Sequence, residues 1–274
     1  MPGPTPDRCV LTGCASGIGR HLAGELLRRG HRVLATDVDG TALERAAAEW
    51  PGEPLTATLD VRDANGWRAV LDQAEEAWGG IDGVFNIAGV LRPGEVQSLT
   101  PEDVDLHFDI NVKGVILGTR AAARRLVVAE AGGHIVNIAS IASLAPIPGM
   151  SLYSASKYAV RAFSLAAAEE LRPHGIAVTA ICPDAVATPM FDQQIDFPEA
   201  ALTFTFPKLL TPEDVTRQIL RALRKRPLMV AFPRRRAWLA RFADLFPWTQ
   251  RLIAGRLQKQ GIENQRAWKA KRGV

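Results

Sequence analysis

Thr12-Gly13-Cys14-Ala15-Ser16-Gly17-Ile18-Gly19 is the stretch that decides how this chain folds. It follows the apolar run Cys9-Val10-Leu11 and leads into an amphipathic segment, Ile18 to Arg29. Glycines let a strand turn sharply into a helix. They also let phosphate groups approach the backbone where the helix N-terminus presents unpaired N–H groups and the positive end of its dipole. A glycine-rich turn alone makes only a tight connection. Its place between a first strand and a first helix turns the reading toward a bound dinucleotide.

Outward from this turn, short apolar runs alternate with longer helical patterns. Cys9 to Leu11, Arg32 to Ala35, Leu55 to Leu59, Gly83 to Phe85, His134 to Ile138 and Ile176 to Ile181 read as strands. Leu228 to Phe232 is a candidate for a last one. Ile18 to Arg29, Gly40 to Trp50, Asp63 to Trp78, Thr100 to Asp109, Val112 to Glu130 and Leu152 to Arg172 read as helices. Strands that are nearly all apolar suit a sheet covered on both faces, hence a parallel one. The alternation predicts an α/β fold, a doubly wound, mostly parallel Rossmann-type sheet built from right-handed crossovers. That single domain is expected to span 1–232, with a basic amphipathic helical extension over 233–274. Within it, Met190 to Pro207 is apolar and aromatic without strand alternation, and is expected to act as a substrate lid. Thr211-Pro212-Glu213-Asp214 then carries the signals of a helix start.

Hydrophobic residues make up 47% of the 274 and charged residues 23%, enough apolar material for a core without disulfides or metals. The cysteines, Cys9, Cys14 and Cys182, form no CxxC pair, which argues against a disulfide framework and a structural zinc site. Met1 to Asp7 lacks a signal pattern, and the apolar runs fall short of the ~20 residues a membrane span needs. A cytoplasmic protein with no bound metal is expected. The net charge of +4 hides an asymmetry: from Arg217 onward there are 16 Lys and Arg but two acids, Asp244 and Glu263. In the extension, Trp238, Phe242, Leu245, Phe246, Trp248, Leu252, Ile253 and Leu257 recur at helical spacing with arginines between them. Three readings are weighed: helices split at Pro247 that pack on the body or a partner subunit, a membrane-surface helix, or nucleic acid. The last is set aside because no binding motif accompanies the charge. The segment is expected to serve assembly or attachment and to take no part in the chemistry at the glycine turn.

Asp37 ends the second strand about 20 residues past the glycines, where a carboxylate accepts hydrogen bonds from ribose hydroxyls and repels a 2′-phosphate. Taken alone it is also a solvated acid in a turn. No Lys or Arg interrupts the glycine turn, so NAD is favoured over NADP. Asp60, at the end of the third strand, is a candidate for adenine contact or for a helix cap. Tyr153 and Lys157 sit four residues apart at the start of a helix, on one face. An unperturbed phenol, with a pKa of about 10, needs a nearby ammonium to exchange protons near neutral pH. By spacing alone the two are as well read as an exposed pair.

Several motifs in one order change that. Thr12 to Gly19 fits TGxxxGxG, Asn86-Ile87-Ala88-Gly89 fits NNAG with one Asn replaced by Ile, and Asn111 stands within Asn111-Val112-Lys113-Gly114. Ser140 precedes Tyr153 by 13 residues, and Tyr153 to Lys157 fits YxxxK. In these respects the chain resembles the short-chain dehydrogenase/reductase family. The resemblance implies an oxidoreductase passing a hydride between NAD(H) and a secondary alcohol or ketone. It makes Tyr153 the general acid/base, Lys157 its support and a ribose contact, Ser140 the group on the substrate oxygen, and Asn111 the holder of a relay water. It also implies cofactor contacts at Gly13, Ser16, Gly17, Ile18, Gly19, Asp37, Asp60, Val61, Asn86, Ala88, Gly89, Tyr153, Lys157, Pro183, Val186 and Thr188. Ser143 competes with Ser140 but stands ten residues from Tyr153, the wrong spacing. One departure stands out: Pro183-Asp184 replaces the family's Pro-Gly, placing a charge beside the nicotinamide contacts. The apolar lid suggests a steroid-like, lipid or acyl small-molecule substrate. A homo-oligomer, dimer or tetramer, is expected, and a membrane-peripheral location is the alternative to a free one. The rival function is a catalytically inactive NAD(H)-binding sensor or structural protein. A sugar-nucleotide epimerase would need more chain after Pro189.

Overall fold

Seven short runs with mostly apolar centres pair edge to edge, and all pair in parallel. They are β1 (Arg8–Thr12), β2 (Arg32–Asp37), β3 (Leu55–Thr58), β4 (Gly83–Asn86), β5 (Gly133–Ile138), β6 (Ile176–Pro183) and β7 (Met229–Phe232). In this computed structural model, residues 5–205 and 209–271 are described, and the side chains of 250–254 and 271 are not. The expectations for Phe206, Pro207, Leu252 and Ile253 therefore lie outside the described residues. The sheet order is β3-β2-β1-β4-β5-β6-β7. Leu11 of β1 sits beside Ala35 of β2 on one side and Phe85 of β4 on the other. The chain first winds outward from β1 to β3, then crosses back to β4, so the order reverses between β1 and β4. A crevice opens at the carboxyl ends of the strands at such a switch point.

Helices α1 (Gly17–Arg28), α2 (Gly40–Ala47), α3 (Ala64–Trp78), α4 (Pro101–Phe108), α5 (Gly114–Ala129) and α6 (Ser151–Leu171) follow the first strands. After β6 come α7 (Pro189–Asp192), α8 (Pro212–Lys225), α9 (Arg234–Leu245) and α10 (Trp248–Lys271). One face of the sheet is covered by α1 and α8, where Leu22, Leu26, Ile219 and Leu223 pack with Phe85 and Val136. The other is covered by α3 and α5, with Trp67, Leu71 and Leu126 against Val84 and Ile135. Both faces being covered is why the inner strands carry no regular polar alternation.

Two helices expected as separate, Thr100 to Asp109 and Val112 to Glu130, are joined. A π-helical turn, Asp109–Lys113, carries α4 into α5. Asn111 in that turn is fully buried and bonds the backbone of Val90 in both directions. The helix widens there to deliver this side chain. Thr211 caps α8 in a full capping box with Asp214, as its sequence predicts. The extension is two helices parted near Pro247.

Candidate active site

The turn between β1 and α1 is built for close approach. Gly13 has φ +71° and Gly17 has φ +54°, both in the region that disfavours a side chain. A Cβ on Gly13 would lie 2.9 Å from Cα of Ala88, and one on Gly17 would lie 3.1 Å from Cγ2 of Thr188. A Cβ on Gly19 would collide with the carbonyl oxygen of Gly13. The hydroxyl of Thr12 accepts from the N–H groups of Ile87 and Ala88 at 3.0 and 3.1 Å, clamping the ends of β1 and β4 together. Ser16 caps α1 without a side-chain bond to it, and the first turn holds no acid. The N-terminal amides of α1 are thus left for an anion, which fits the pyrophosphate of a dinucleotide. These residues line one cavity of about 520 Å³ together with Asp37, Val61, Gly89, Tyr153 and Lys157.

At one end of the cavity, the Asp37 carboxylate accepts from the N–H of Ala15 at 2.9 Å and of Asp39 at 3.1 Å. Those bonds fix a negative group at the tip of β2. Asp60 is held by Arg62, whose Nη2 lies 2.6 Å from Oδ2. The Arg62 side-chain bonds keep the Asp60 carboxyl below its ordinary pKa. Arg62 lines the cavity too, a cation the sequence reading did not place there, but its charge is answered by Asp60.

At the other end stand Ser140, Tyr153 and Lys157. The Ser140 hydroxyl accepts from Ala142 N–H at 3.1 Å, capping the short turn Ile141–Ser143. Burial pushes the Tyr153 phenol up to about 12, opposed by a hydrogen bond with Ser140. Burial brings the Lys157 ammonium down to about 8. Lys157 donates from Nζ to the carbonyl of Ile138 at 3.0 Å, and Nζ lies 5.6 Å from the centre of the Tyr153 ring. The spacing reading expected the ammonium to lower the phenol's pKa. In this pocket desolvation wins, because both groups are taken from water. Ser143 is excluded as a competitor: its fully buried hydroxyl donates to the carbonyl of Ser140 at 2.5 Å.

Two expected site residues fall off the cavity wall. Asn86 is buried and donates to Asn137 Oδ1 at 2.7 Å and to Thr119 at 3.2 Å, so its side chain ties β4 to β5 and α5. Asn111 donates to the Val90 carbonyl at 2.9 Å and to the Ser156 hydroxyl at 3.0 Å, while its Oδ1 accepts from Val90 N–H at 2.8 Å. Both its donors are taken, so only the second lone pair of Oδ1 is left for a relay water. Every other expected residue, including Ile18, Pro183, Val186 and Thr188, borders the cavity.

The extension, expected to serve assembly or attachment, also reaches the same cavity. Arg236, in the first turn of α9, sits 3.1 Å from Asp184 through Nε, and both side chains line the cavity. Asp184 also accepts from Ala185 N–H at 2.9 Å. Burial raises the Asp184 carboxyl and lowers the Arg236 guanidinium, while their mutual attraction works for both charges. Helix α10 lies on the segment after β6 expected to act as a lid. Gln265 is buried and its Nε2 donates toward the carbonyls of Phe197 at 2.8 Å and of Gln194 and Ile195 at 3.1 Å. Asn264 donates to the Phe204 carbonyl at 2.8 Å, and the Trp268 ring meets Phe191 edge-on at 5.7 Å. Met190, Phe191, Gln194, Leu202 and Thr203 of that segment border the cavity.

A glycine-cradled switch point with Ser140, Tyr153 and Lys157 facing it defines a nicotinamide-dependent oxidoreductase on a Rossmann-type sheet. A family model described as short chain dehydrogenase matches residues 8–198. The chain belongs to that family. It is 36% identical to a cyclopentanol dehydrogenase of Comamonas sp. (strain NCIMB 9872) over 226 residues, 80% of this chain and 90% of the relative. It is 34% identical to a 3-beta-hydroxysteroid dehydrogenase of Comamonas testosteroni over 188 residues, 68% of this chain and 73% of the relative. A crystal structure of a short chain dehydrogenase from Mycobacterium paratuberculosis bound to NAD superposes with a TM-score of 0.72 at 29% identity, covering 84% of this chain and 97% of that one.

Proposed function

We propose that the chain interconverts an apolar secondary alcohol and its ketone, using NAD(H) in preference to NADP(H). One observation carries this reading: Ser140, Tyr153 and Lys157 converge in the cavity that the glycine turn and Asp37 also line. Bound there, the nicotinamide would give or take the hydride. The glycine turn and the α1 amides would hold the diphosphate, and Asp37 the adenosine ribose. Pro183, Val186 and Thr188 would border the nicotinamide end.

Tyr153 acts at the substrate oxygen. With its pKa held near 12, the phenol is protonated at neutral pH, and donates its proton to a ketone oxygen as that oxygen becomes an alcohol. In the reverse direction it must first lose that proton, and the Lys157 ammonium then offsets the phenolate charge. Ser140 donates to the same substrate oxygen and fixes its distance from Tyr153. Lys157, held by the Ile138 carbonyl, is positioned by β5 and not by solvent.

Preference for NAD follows from the fixed carboxylate of Asp37, which offers acceptors to ribose hydroxyls and repels phosphate. Preference for an apolar substrate follows from the apolar side chains that line the cavity with Tyr153, among them Ile141, Ile147, Met150, Met190, Phe191 and Leu202. The names of the cyclopentanol and hydroxysteroid dehydrogenases agree with such a wall. The test is a panel of apolar secondary alcohols and their ketones with each cofactor, followed by absorbance of the reduced nicotinamide. Turnover of cyclic or steroid-like alcohols with NAD is expected. A protein that binds NAD and turns over no member in either direction would return the inactive-binder reading.

A further inference from the structure

Helix α9 leaves one face that the body does not cover. Its inner side is engaged: Ala237 is buried, Arg236 pairs with Asp184, and Asp244 accepts from the Tyr158 hydroxyl of α6 at 2.7 Å. The outer side carries Trp238, Leu239, Phe242, Leu245 and Phe246, with Trp248 at the corner where α10 begins. At 100° per residue the first five fall within one stripe about a third of the circumference wide. Trp238 is 68% exposed, Leu245 74% and Trp248 62%. Single apolar side chains on a surface need no explanation, but a continuous stripe of large ones marks a place of contact.

Charge says what kind of surface it meets. Arg234, Arg235 and Arg241 are exposed on the same helix, and among the described residues none of them forms an ion pair. The sole acid of α9, Asp244, already has its bond to Tyr158. A second copy docked through the same stripe by a two-fold axis would set arginines against arginines with no carboxylate between them. An anionic bilayer answers both features at once, since indole and phenyl rings settle at the headgroup level while guanidinium groups pair with lipid phosphates. Among the described residues, no helix is long and apolar enough to cross a membrane.

We propose that the outer face of α9, with the corner at Trp248, docks this protein on an anionic lipid surface, the helix lying in the plane of the interface. From that corner α10 runs on to the lid over the pocket. The docking itself depends only on α9 and stands or falls apart from the catalytic reading.

The experiment is sedimentation of the full chain with vesicles of phosphatidylcholine alone, or of phosphatidylcholine mixed with phosphatidylglycerol. The protein is expected to pellet with the anionic vesicles, to stay in solution with the neutral ones, and to be released as salt is raised. Each arginine near the surface is worth about fivefold in partitioning, so Arg234→Ala, Arg235→Ala and Arg241→Ala together should weaken binding by about 100-fold at low salt. Trp238→Ser with Phe242→Ser should abolish it. Turnover of a water-soluble alcohol should be unchanged in both variants, and a circular-dichroism melt shows their fold where turnover is absent in the parent. The proposal is overturned if the parent ignores anionic vesicles, or if binding survives both sets of substitutions. It is equally overturned if light scattering shows a dimer that Trp238→Ser with Phe242→Ser dissociates, because the stripe would then be covered by a second copy.

Discussion

Replacing Gln265 by Leu tests whether the extension is part of the substrate site. The side chain is 7% exposed and its Nε2 faces three carbonyls, those of Gln194, Ile195 and Phe197. An amide nitrogen has two protons, so the site holds the equivalent of two good hydrogen bonds. Leu preserves the volume and removes both, at about 1 kcal/mol each, for a loss of ~2 kcal/mol. Spread over the whole fold, that lowers Tm by ~4–8 °C. Confined to the lid, the same energy shifts its opening equilibrium by up to about 30-fold. KM for the alcohol should therefore rise about tenfold, while Kd for the nicotinamide cofactor stays within about twofold, since the glycine turn lies on other elements. Gln265→Glu should be worse than Leu, because it sets a charged acceptor against three acceptors. Differential scanning fluorimetry and steady-state kinetics read both effects. If Tm and KM of Gln265→Leu match the parent, α10 does not brace the lid.

Tyr153→Phe should lower kcat by about 10²- to 10⁴-fold with cofactor binding nearly intact, measured by fluorescence titration of the reduced nicotinamide. Asp37→Ser with Val38→Arg should weaken NAD and admit NADP; a parent protein that already prefers NADP would remove Asp37 from its role. The rate of alcohol oxidation should climb with pH, about tenfold per unit at first, because burial keeps the phenol protonated at neutral pH. The climb should flatten above about 8, where Lys157 loses the ammonium that supports the phenolate, while ketone reduction stays level across the neutral range. Cutting the chain after Phe232 should abolish turnover, since Arg236 and Gln265 go together.

Much of the fold was legible because its signals are local. The strand runs were read to within a residue or two at most ends, since an apolar run flanked by turns needs no distant partner to be recognised. The Tyr153–Lys157 spacing and the glycine turn are local in the same sense. The joined α4 and α5 were not legible, because the π-turn is set by Asn111 meeting Val90, 21 residues upstream. The inward bonds of Asn86 were hidden for a related reason. Its motif lies at the mouth of the cavity, but its bonds to Asn137 and Thr119 come from β5 and α5 and draw the side chain inward.

Asp184 shows how a local departure is resolved at long range. Beside the motif it stood out as a departure: a carboxylate where the family keeps a residue without a side chain. Its partner stands 52 positions later, inside Arg234-Arg235-Arg236, a run whose charges read as a solvated face. Two of the three are exposed, and one turns in. A carboxylate taken from water alone would be costly, and so would a lone guanidinium, whereas together each offsets much of the other's desolvation. The Asp184 side chain is also turned back on its own backbone through Ala185 N–H, so its charge is held by protein groups. The extension therefore accounts for the substitution. A chain ending at β7 would carry an uncompensated acid in the pocket wall, and this one carries a neutral pair.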